Sequence, residues 1–263
     1  MKKILFIGAM EKELRDLIGL FGCIEKKKLL NKYPFFLGKW SNNKRFEIGV
    51  LLSFVGDTNA AVSSIVTIKE FDPDYVFKVG CVGGTSPGIH KSDIIVPLGF
   101  FHSGSWITRS NKDNSPTSDA SLWQSVFGKK PYQVNDQNLG YIPYYFQSSK
   151  ELVVKYESLL QRKKQDYHKA HIGGGNMWFF ERNFMENVAK NVIPQDSGVK
   201  HWVSDMESFA IAHTCFVTKK SFMGFYVVSN SDYYEDEEYV PEEIRGMIKN
   251  KLVTNIPKYI ALL

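Results

Sequence analysis

The chain has 263 residues, of which 43% are apolar, 23% charged and 14% aromatic. This composition excludes a disordered chain, a collagen, a coiled coil and a disulfide-stapled miniprotein, and it provides enough apolar material for one large core. The net charge of +5 is a modest excess. Because the two basic clusters, residues 26–28 and 162–164, lack interleaved aromatic residues, we expect solvated surface there rather than a nucleic-acid face.

The cysteines and the apolar runs indicate where the protein works. Three cysteines without CxxC spacing predict neither a disulfide framework nor a zinc site, and they favour a reducing compartment. No apolar run approaches the ~20 residues that a membrane helix needs. The apolar start of the chain is broken by charges at residues 11–13, too early for a signal peptide. We therefore expect a cytoplasmic protein without membrane or nucleic-acid partners.

Strand and helix patterns alternate along the chain. In order, the predicted elements are a strand at 3–9, a helix at 11–21, a strand at 46–54, a helix from 57 to about 68, strands at 75–80, 93–98 and 168–172, a helix opening behind Ser204 or Asp205, a strand at 222–228 and a largely helical segment at 242–263. Such alternation predicts an α/β fold with a parallel or mixed sheet covered on both faces. Neither a repeat nor a linker divides the chain, so we expect one domain over residues 1–263.

Residues from about 103 to 150 form an elaborated insertion with weak periodicity. The segment is rich in Ser, Asn, Asp and Pro, and its aromatic residues are Trp106, Trp123, Phe127, Tyr132, Tyr141, Tyr144, Tyr145 and Phe146. These rings are too many for a disordered tail, so we expect an ordered insertion on the substrate side or at an interface. A monomer would have to hide or expose them, which predicts a homodimer.

Two candidate sites follow predicted strands in the first half of the chain. Glu11 and Glu13 lie in the first turn of a helix, where a carboxylate points toward the crevice beyond the strand ends; both also fit as ordinary first-turn acids. The glycine-rich residues 80–88 allow close backbone approach to an anion or a sugar, and a plain tight turn is equally compatible. Their spacing matches neither GxGxxG nor a phosphate-binding loop, which weighs against dinucleotides and nucleoside triphosphates.

Two more candidates lie in the second half. Glu207 stands in an otherwise small and apolar helical stretch, residues 206–213, and a buried carboxylate is costly unless it is paired. Ser231 and Asp232 follow an apolar strand, a position typical of a site residue or of a helix N-cap. We interpret the acidic residues 235–238 as a solvated face whose negative potential helps to keep Asp232 protonated.

Taken together and in this order, the segments resemble the nucleoside phosphorylase/nucleosidase superfamily, most closely the 5'-methylthioadenosine/S-adenosylhomocysteine nucleosidases. The matching pieces are residues 7–13, 59–61, 80–84, 87–88, 93–96, 205–207, 210–212 and 231–232. The resemblance spans nearly the whole chain and is poor from about 104 to 165. It implies a single-domain, three-layer α/β/α fold around a mixed, barrel-like central sheet, usually as a homodimer.

The resemblance also implies a reaction and its residues. The expected activity is hydrolysis of the N-glycosidic bond of a 5'-thio-substituted adenosine, a small-molecule substrate, with no metal and no organic cofactor. Asp232 falls on the general acid that protonates purine N7, Glu13 on the general base for water, Glu207 on the carboxylate that binds the ribose hydroxyls, and Met206 on the residue packed against the sugar. The set suits an oxocarbenium-like transition state. Further implied substrate-binding residues are Ser231, Cys81, Gly83 and Ile172.

Two other functions are weighed against hydrolysis: phosphorolysis, and nucleoside binding or storage without turnover. Lys78 is the main reason to consider phosphorolysis, because the aligned position in phosphorylases holds a phosphate-binding arginine. Lys78 either forms half of an anion site or pairs with Glu13 or Glu207. The Gly-Asp-Pro-x-Arg loop of phosphorylases is absent, since residues 8–12 read Gly-Ala-Met-Glu-Lys. We therefore expect hydrolysis.

Further departures from the family surround the base and the 5'-group. They are Cys81 in place of serine, Val228 in place of arginine, and altered segments at 101–103 and 173–178. These changes leave the base and the 5'-substituent of the substrate open.

Overall fold

The computed structural model describes the chain except for residues 43, 127–133, 137–139, 143–144, 179–180 and 195–196. The strands are β1 (Lys2–Gly8), β2 (Ile24–Leu29), β3 (Tyr33–Asn42), β4 (Lys44–Leu52), β5 (Tyr75–Gly84), β6 (Ile94–His102), β7 (Trp106–Ile107), β8 (Gln124–Ser125), β9 (Val134–Asp136), β10 (Gly140–Ile142), β11 (Tyr145–Gln147), β12 (His168–Gly174), β13 (Trp202–Asp205) and β14 (Ser221–Ser231). The helices are α1 (Glu11–Leu20), α2 (Asp57–Phe71), α3 (Lys150–Arg162), α4 (Arg182–Asn191), α5 (Ser208–Val217), α6 (Ile244–Met247) and α7 (Ile256–Ile260), with a 3₁₀ turn at Ala120–Leu122 and a π-helical segment at Ile248–Val253.

The central sheet has ten strands and closes on itself around β5. One edge of β5 pairs in parallel with β14 over its full length. The other edge pairs in parallel with β1 at its start and antiparallel with β13 at its end. Because β14 also pairs with β6, and β6 pairs through β12 with β13, the strands β5, β14, β6, β12 and β13 form a ring. The prediction of an α/β fold with a mixed, barrel-like sheet is confirmed.

Helices cover both faces of this sheet. Buried apolar side chains of α1, α3, α6 and α7 form one core cluster with the sheet, and those of α2 and α5 form a second on the opposite side. In α1, Leu14 and Leu17 lie three residues apart on the same helix face, and both are almost fully buried. A third, smaller cluster packs α4 against Trp202. The three-layer arrangement is therefore confirmed.

The elements near the site differ from the predicted ones in length. β5 continues to Gly84, so the glycine-rich stretch after residue 80 starts as strand and not as loop; strands pair with it on both edges. β14 likewise runs through Ser231. The hairpin of β2 and β3 has no predicted counterpart, because β2 is mostly exposed at the sheet edge and carries no alternating apolar pattern.

The described part of the insertion forms short strands, β7 to β11, and turns its rings inward. Trp106 and Trp123 pack edge-on against Phe184, with ring centroids 4.7 Å and 5.9 Å away, and Phe146 packs against Phe209. For these rings, the expected need for a partner surface is wrong, because the chain itself covers them. Phe127, Tyr132 and Tyr144 and the side chain of Tyr141 lie outside the described residues. A homodimer stays a prediction, on another surface considered below.

Among the residues that the structure describes, no helix has the length and apolarity required to cross a membrane. The three cysteines are free, with Cys23 and Cys215 buried and Cys81 partly buried.

Candidate active site

One cavity, of about 190 Å³, lies where β1, β5, β13 and β14 end and where α1, α2 and α5 begin. It brings together six of the eight residues expected at the site. They are Glu13, Cys81, Gly83, Met206, Glu207 and Asp232. The other lining residues are Ala9, Met10, Val55, Val82, Met177, Trp178, Ser204, Asp205, Ser229, Asn230 and Tyr239. Four carboxyl side chains, those of the three expected acidic residues and of Asp205, thus share a pocket whose walls are otherwise largely apolar.

Two expected site residues do not line this cavity. The Ile172 side chain, in β12, is fully buried in the core cluster shared with α2 and α5. Ser231 is the last residue of β14; its hydroxyl donates to the Gly84 carbonyl at 3.4 Å and accepts from the Tyr233 N–H at 3.3 Å. The Ile172 side chain therefore belongs to the core, and that of Ser231 holds β14 to β5 and to the following turn.

Glu13, the third residue of α1, is held by backbone N–H groups. Its Oε2 accepts from Ala9 at 2.8 Å and from Met10 at 2.9 Å, and its Oε1 accepts from Cys81 at 3.2 Å. The Cys81 Sγ lies 3.6 Å from the same Oε1. Burial strongly raises the pKa of this thiol, so it remains a weak S–H donor. Glu11, by contrast, forms a surface pair with Arg15.

The glycines of β5 make space for the carboxylates. A Cβ on Gly80 would lie 2.8 Å from Oε1 of Glu13 and 3.2 Å from Nζ of Lys78. A Cβ on Gly83 would lie 2.9 Å from Oδ2 of Asp232. The glycine-rich segment therefore permits close approach of side chains, where the sequence had suggested approach of an anion or a plain turn.

Glu207 sits at the start of α5 and pairs with Lys78. The Lys78 ammonium lies 3.0 Å from Oε2, and both side chains are almost completely buried. Oε1 accepts from the Gly56 N–H at 2.9 Å. Gly56 is the N-cap residue of α2, and its φ of 101° is a backbone conformation that favours glycine. Of the two alternatives for Lys78, the structure shows the pair with a carboxylate.

Burial and neighbouring charges shift the pKa of Lys78 and that of Asp205. Burial disfavours the charged lysine, but Glu207, Glu13 and Asp205 together outweigh burial and raise its pKa well above the usual value. Burial raises the pKa of Asp205 to about 6, against the opposing effect of Lys78. Asp205 accepts from the N–H groups of Glu207 and Ser208 and from the Ser208 hydroxyl, so it holds the start of α5.

Asp232 lies at the opposite end of the cavity, directly after β14. Its Oδ1 accepts from Asn230 Nδ2 at 2.6 Å and from Trp178 Nε1 at 3.1 Å. Burial raises its pKa to about 6, although both hydrogen bonds favour the ionised form. Since Oδ1 already accepts two bonds, Oδ2, over Gly83, is the oxygen available to carry a proton into the cavity.

The acidic run behind Asp232 does not explain this shift. Burial is the cause, and Glu237 of that run instead faces the turn before β6, where it accepts from Lys91 N–H at 2.6 Å and contacts His90 at 2.6 Å. Glu237 therefore holds two loops together, whereas residues 235, 236 and 238 are exposed, as expected of a solvated face.

Of the lining residues that the sequence analysis did not assign to the site, Trp178, Asn230 and Tyr239 matter most for Asp232 and its surroundings. Trp178, 52% exposed, donates to Asp232 and packs edge-on against Tyr239 at 5.6 Å. The available signals were an aromatic residue after the glycine run at 173–175 and an amide two residues before the aspartate. Neither pattern is specific without the fold, because each residue comes from a different segment.

Within the described residues, no three His, Cys, Asp or Glu side chains come together as metal ligands would. The polar groups of the cavity are carboxylates, hydroxyls, a thiol, an amide and an indole N–H.

The sequence model of the Phosphorylase superfamily matches residues 3–252. The chain belongs to this superfamily. Its fold and the order of its site segments thus agree with the resemblance seen in the sequence. A relative from Marinomonas sp. (strain MWYL1), named 5'-methylthioadenosine/S-adenosylhomocysteine nucleosidase, is 24% identical over 216 residues, which cover 82% of this chain and 80% of the relative.

Solved structures show the same fold for this phosphorylase-superfamily chain. A 5'-methylthioadenosine/S-adenosylhomocysteine nucleosidase from Helicobacter pylori, solved with butyl-thio-DADMe-Immucillin-A, has a TM-score of 0.77 at 16% identity and covers 100% of this chain and 99% of its own. The nucleosidase from Neisseria meningitidis, in complex with methylthio-immucillin-A, has a TM-score of 0.74 at 20% identity and covers both chains fully. At these identities the likeness concerns the fold.

Proposed function

We propose that this superfamily member hydrolyses the N-glycosidic bond of 5'-thio-substituted adenosines such as 5'-methylthioadenosine and S-adenosylhomocysteine, releasing adenine and the thioribose. The observation that carries the proposal is the meeting of Glu13, Glu207 and Asp232 in one cavity, with the pKa of Asp232 raised to about 6. The names of the relatives agree with this substrate class.

Asp232 acts at the base. Its Oδ2–H protonates N7 of the purine, and the C1'–N9 bond breaks with its electron pair passing to the leaving adenine. A carboxyl with a pKa near 6 still holds its proton in part of the molecules at neutral pH and gives it up readily. The apolar side chains of Met177, Trp178 and Val82 give the base a surface to pack against.

Glu13 and Glu207 act at the sugar. Glu13 takes a proton from the water whose oxygen bonds to C1', and Glu207 accepts hydrogen bonds from the ribose 2'- and 3'-hydroxyls. Met206, half-buried in the cavity wall, packs against the sugar. Gly80 beside Glu13 and Gly83 beside Asp232 are three residues apart, roughly 10 Å along β5, which leaves room for sugar and base between the two carboxyls.

The pairing of Lys78 favours water over phosphate as the acceptor. A phosphate site needs a cation that is free to contact the anion, and the Lys78 ammonium is 1% exposed and bound to Glu207. A phosphate dianion at C1' would also meet the negative charge of Glu13 at close range. We therefore expect rates that do not change with millimolar phosphate.

The proposal includes a homodimer, a cytoplasmic location and a role in methionine salvage. The groove between α2 and α5 is lined by six apolar and five polar residues. Of the apolar ones, Val62 and Val217 are 38% and 60% exposed, and Phe216 beside the groove is 48% exposed. Such a patch is typical of an interface. The free cysteines support a reducing compartment.

A panel of nucleosides tests the function. 5'-Methylthioadenosine, S-adenosylhomocysteine, 5'-deoxyadenosine, adenosine and inosine are incubated with the protein, with and without phosphate, and base, free sugar and sugar phosphate are quantified. We expect adenine and free thioribose from the first two nucleosides, and for each of them the same rate with and without phosphate. A sugar phosphate would move the protein to the phosphorylases, and binding without turnover would make it a nucleoside-binding protein.

A further inference from the structure

Lys78 lies beneath the cavity, on the strand that both ends of the site share. It is a residue of β5, only 1% exposed, and its ammonium lies 3.0 Å from Glu207 Oε2. The space above Gly80 brings it next to the other sugar-side carboxylate, since a Cβ there would lie 3.2 Å from Lys78 Nζ and 2.8 Å from Glu13 Oε1. One cation therefore stands beside both carboxylates that the proposed function assigns to the sugar and the water.

The titratable groups that face Lys78 come from four neighbouring elements and from β5 itself. They are Glu207 at the start of α5, Glu13 in α1, Asp205 at the end of β13, Tyr226 in β14 and the neighbouring Cys81 in β5. Three of these are carboxyls, and Lys78 is the cation among them. Charged groups removed from water need such a partner, because a buried unpaired charge is strongly unfavourable.

The bonds to Glu207 leave a defined pair of acceptor positions. A carboxylate has about four lone-pair positions, two on each oxygen. Gly56 N–H occupies one on Oε1 and Lys78 occupies one on Oε2. One position therefore remains on each oxygen, and the carboxylate plane is fixed from both sides. Two acceptors side by side match two vicinal hydroxyls.

We propose that Lys78 is a positioning residue that holds the Glu207 carboxylate oriented so that each of its oxygens accepts one ribose hydroxyl. The inference rests on the proposed function. It assigns Lys78 no contact with the substrate: the ammonium acts through Glu207, and its charge balances the sugar-side carboxylates when water is excluded by the bound nucleoside.

Without Lys78, Glu207 Oε2 loses its cation, and the carboxylate plane loses one of its two supports. Lys78 also lowers the pKa of Asp205, so its removal raises that pKa above the present value of about 6. Asp205 then holds a proton over a wider pH range and accepts less well from the N–H groups at the start of α5, where Glu207 lies. The acid limb of the activity profile therefore moves to higher pH.

The test compares Lys78→Met with the wild type, and Lys220→Met serves as the matched control. Lys220 pairs with Asp72 at the surface, outside the cavity. Substrates are 5'-methylthioadenosine and its 2'-deoxy analogue. We expect Lys78→Met to lower kcat/KM for the riboside about 10- to 100-fold and several-fold less for the deoxy analogue. Its acid limb should move up by about one pH unit or more, with Lys220→Met unchanged in both readouts.

A double-mutant cycle tests whether Lys78 acts through Glu207. Lys78→Met/Glu207→Gln removes both buried charges of the pair, and in the Glu207→Gln background the loss of Lys78 should cost much less riboside activity than in the wild type. Where Lys78→Met alone folds poorly, Glu207→Gln is compared directly with the double variant, and a large further loss of riboside activity in the double variant contradicts the positioning role. Equal costs in both backgrounds, or an unmoved acid limb with equal losses on both substrates, would overturn the positioning role.

The outcome for Lys78 is separable from that of the proposed function. A wild type that releases base from no nucleoside contradicts the function by itself. Calorimetric binding of 5'-methylthioadenosine then decides the inference: we expect weaker binding to Lys78→Met than to Lys220→Met, and equal affinities would contradict it.

Discussion

Three of the four carboxylates that line the cavity, the ones assigned to the reaction, differ in their immediate partners. Glu13 is surrounded by backbone N–H groups, Glu207 by a lysine and a backbone N–H, and Asp232 by an indole and an amide N–H. Burial raises the pKa of Asp232 to about 6, against the opposing effect of its two neutral donors. Differences of this kind allow one pocket to hold an acid and bases together.

Asp232→Asn should abolish turnover and stabilise the fold above pH 6. Loss of a general acid costs ~10²–10⁴-fold in kcat. The folded pKa of about 6 exceeds the usual 3.8, so the native state binds more protons than the unfolded state between these values, and wild-type stability falls as pH rises through that window. Asparagine is not subject to this loss, which amounts to at most about 3 kcal/mol.

Urea unfolding at pH 4 and pH 7.5 measures this effect. The variant and the wild type should be similar in stability at pH 4, and the variant should be more stable at pH 7.5. A kcat above roughly a tenth of the wild-type value would argue against Asp232 as the acid.

Trp178→Phe should move the alkaline limb of kcat/KM upward. In the wild type we expect activity to fall above about pH 6, as Asp232 loses its proton. The Trp178 N–H lowers the pKa of Asp232, so its removal raises that pKa further. Phenylalanine keeps an aromatic wall. An alkaline limb unchanged in Trp178→Phe would show that the indole N–H does not act on the acid.

At the level of elements, three helix starts meet the glycine-containing end of β5. α1 contributes Glu13, the turn before α2 contributes the Gly56 N–H, and α5 begins with Glu207 as its N-cap residue. Helix N-termini favour negative charge, and the free N–H groups of α1 and α2 are used to bind these two carboxylates.

Gly80→Ala tests the close packing against β5. Its Cβ would press on Glu13 and Lys78, both held in place by other bonds, so we expect at least a tenfold loss in kcat/KM and a stability loss of about 1–3 kcal/mol. Gly246→Ala is the control, because nothing lies within 4 Å of its Cβ; it should stabilise α6 by about 0.5–1 kcal/mol. Wild-type activity in Gly80→Ala would contradict the geometry.

For the whole molecule, closure of the sheet is what assembles the site. β1 and β13 occupy the same edge of β5 one after the other, while β14 occupies the opposite edge. The ends of strands far apart in sequence therefore open into one cavity, and the helices packed on the two faces of the sheet begin at its border. A ligand site beyond the carboxyl ends of strands is the expected result of such a sheet.

We predict that the protein forms a dimer through the α2–α5 groove. Light scattering should give twice the monomer mass of 30.1 kDa. Val217→Glu places a charge on the 60%-exposed centre of that apolar patch and should shift the equilibrium toward monomer. Leu122→Glu, on the exposed surface of the insertion, is the control. If only Leu122→Glu dissociated the dimer, the interface would lie on the insertion and not on the α2–α5 groove.

Local patterns were sufficient for much of the fold and for marking the acidic candidates, whose roles came from the family resemblance. The helix α1 and the core strands β1, β4 and β14 follow from apolar periodicity, and Glu13, Glu207 and Asp232 stand at junctions where periodicity changes. The resemblance placed Ile172 at the substrate, and the structure places its side chain in the core, a difference that an apolar residue at a strand end does not reveal.

The amino-acid sequence by itself determined the α/β class, the succession of core elements and the acidic residues that strand ends present, because these depend on periodicity over neighbouring residues. Tertiary structure decided the partners of each carboxyl: Lys78 with Glu207 across 129 positions, and Trp178 with Asp232 across 54. It also decided the cause of the raised pKa of Asp232, which is burial and not the adjacent acidic run. Burial and long-range contacts depend on how distant strands pair, and no local pattern encodes that pairing.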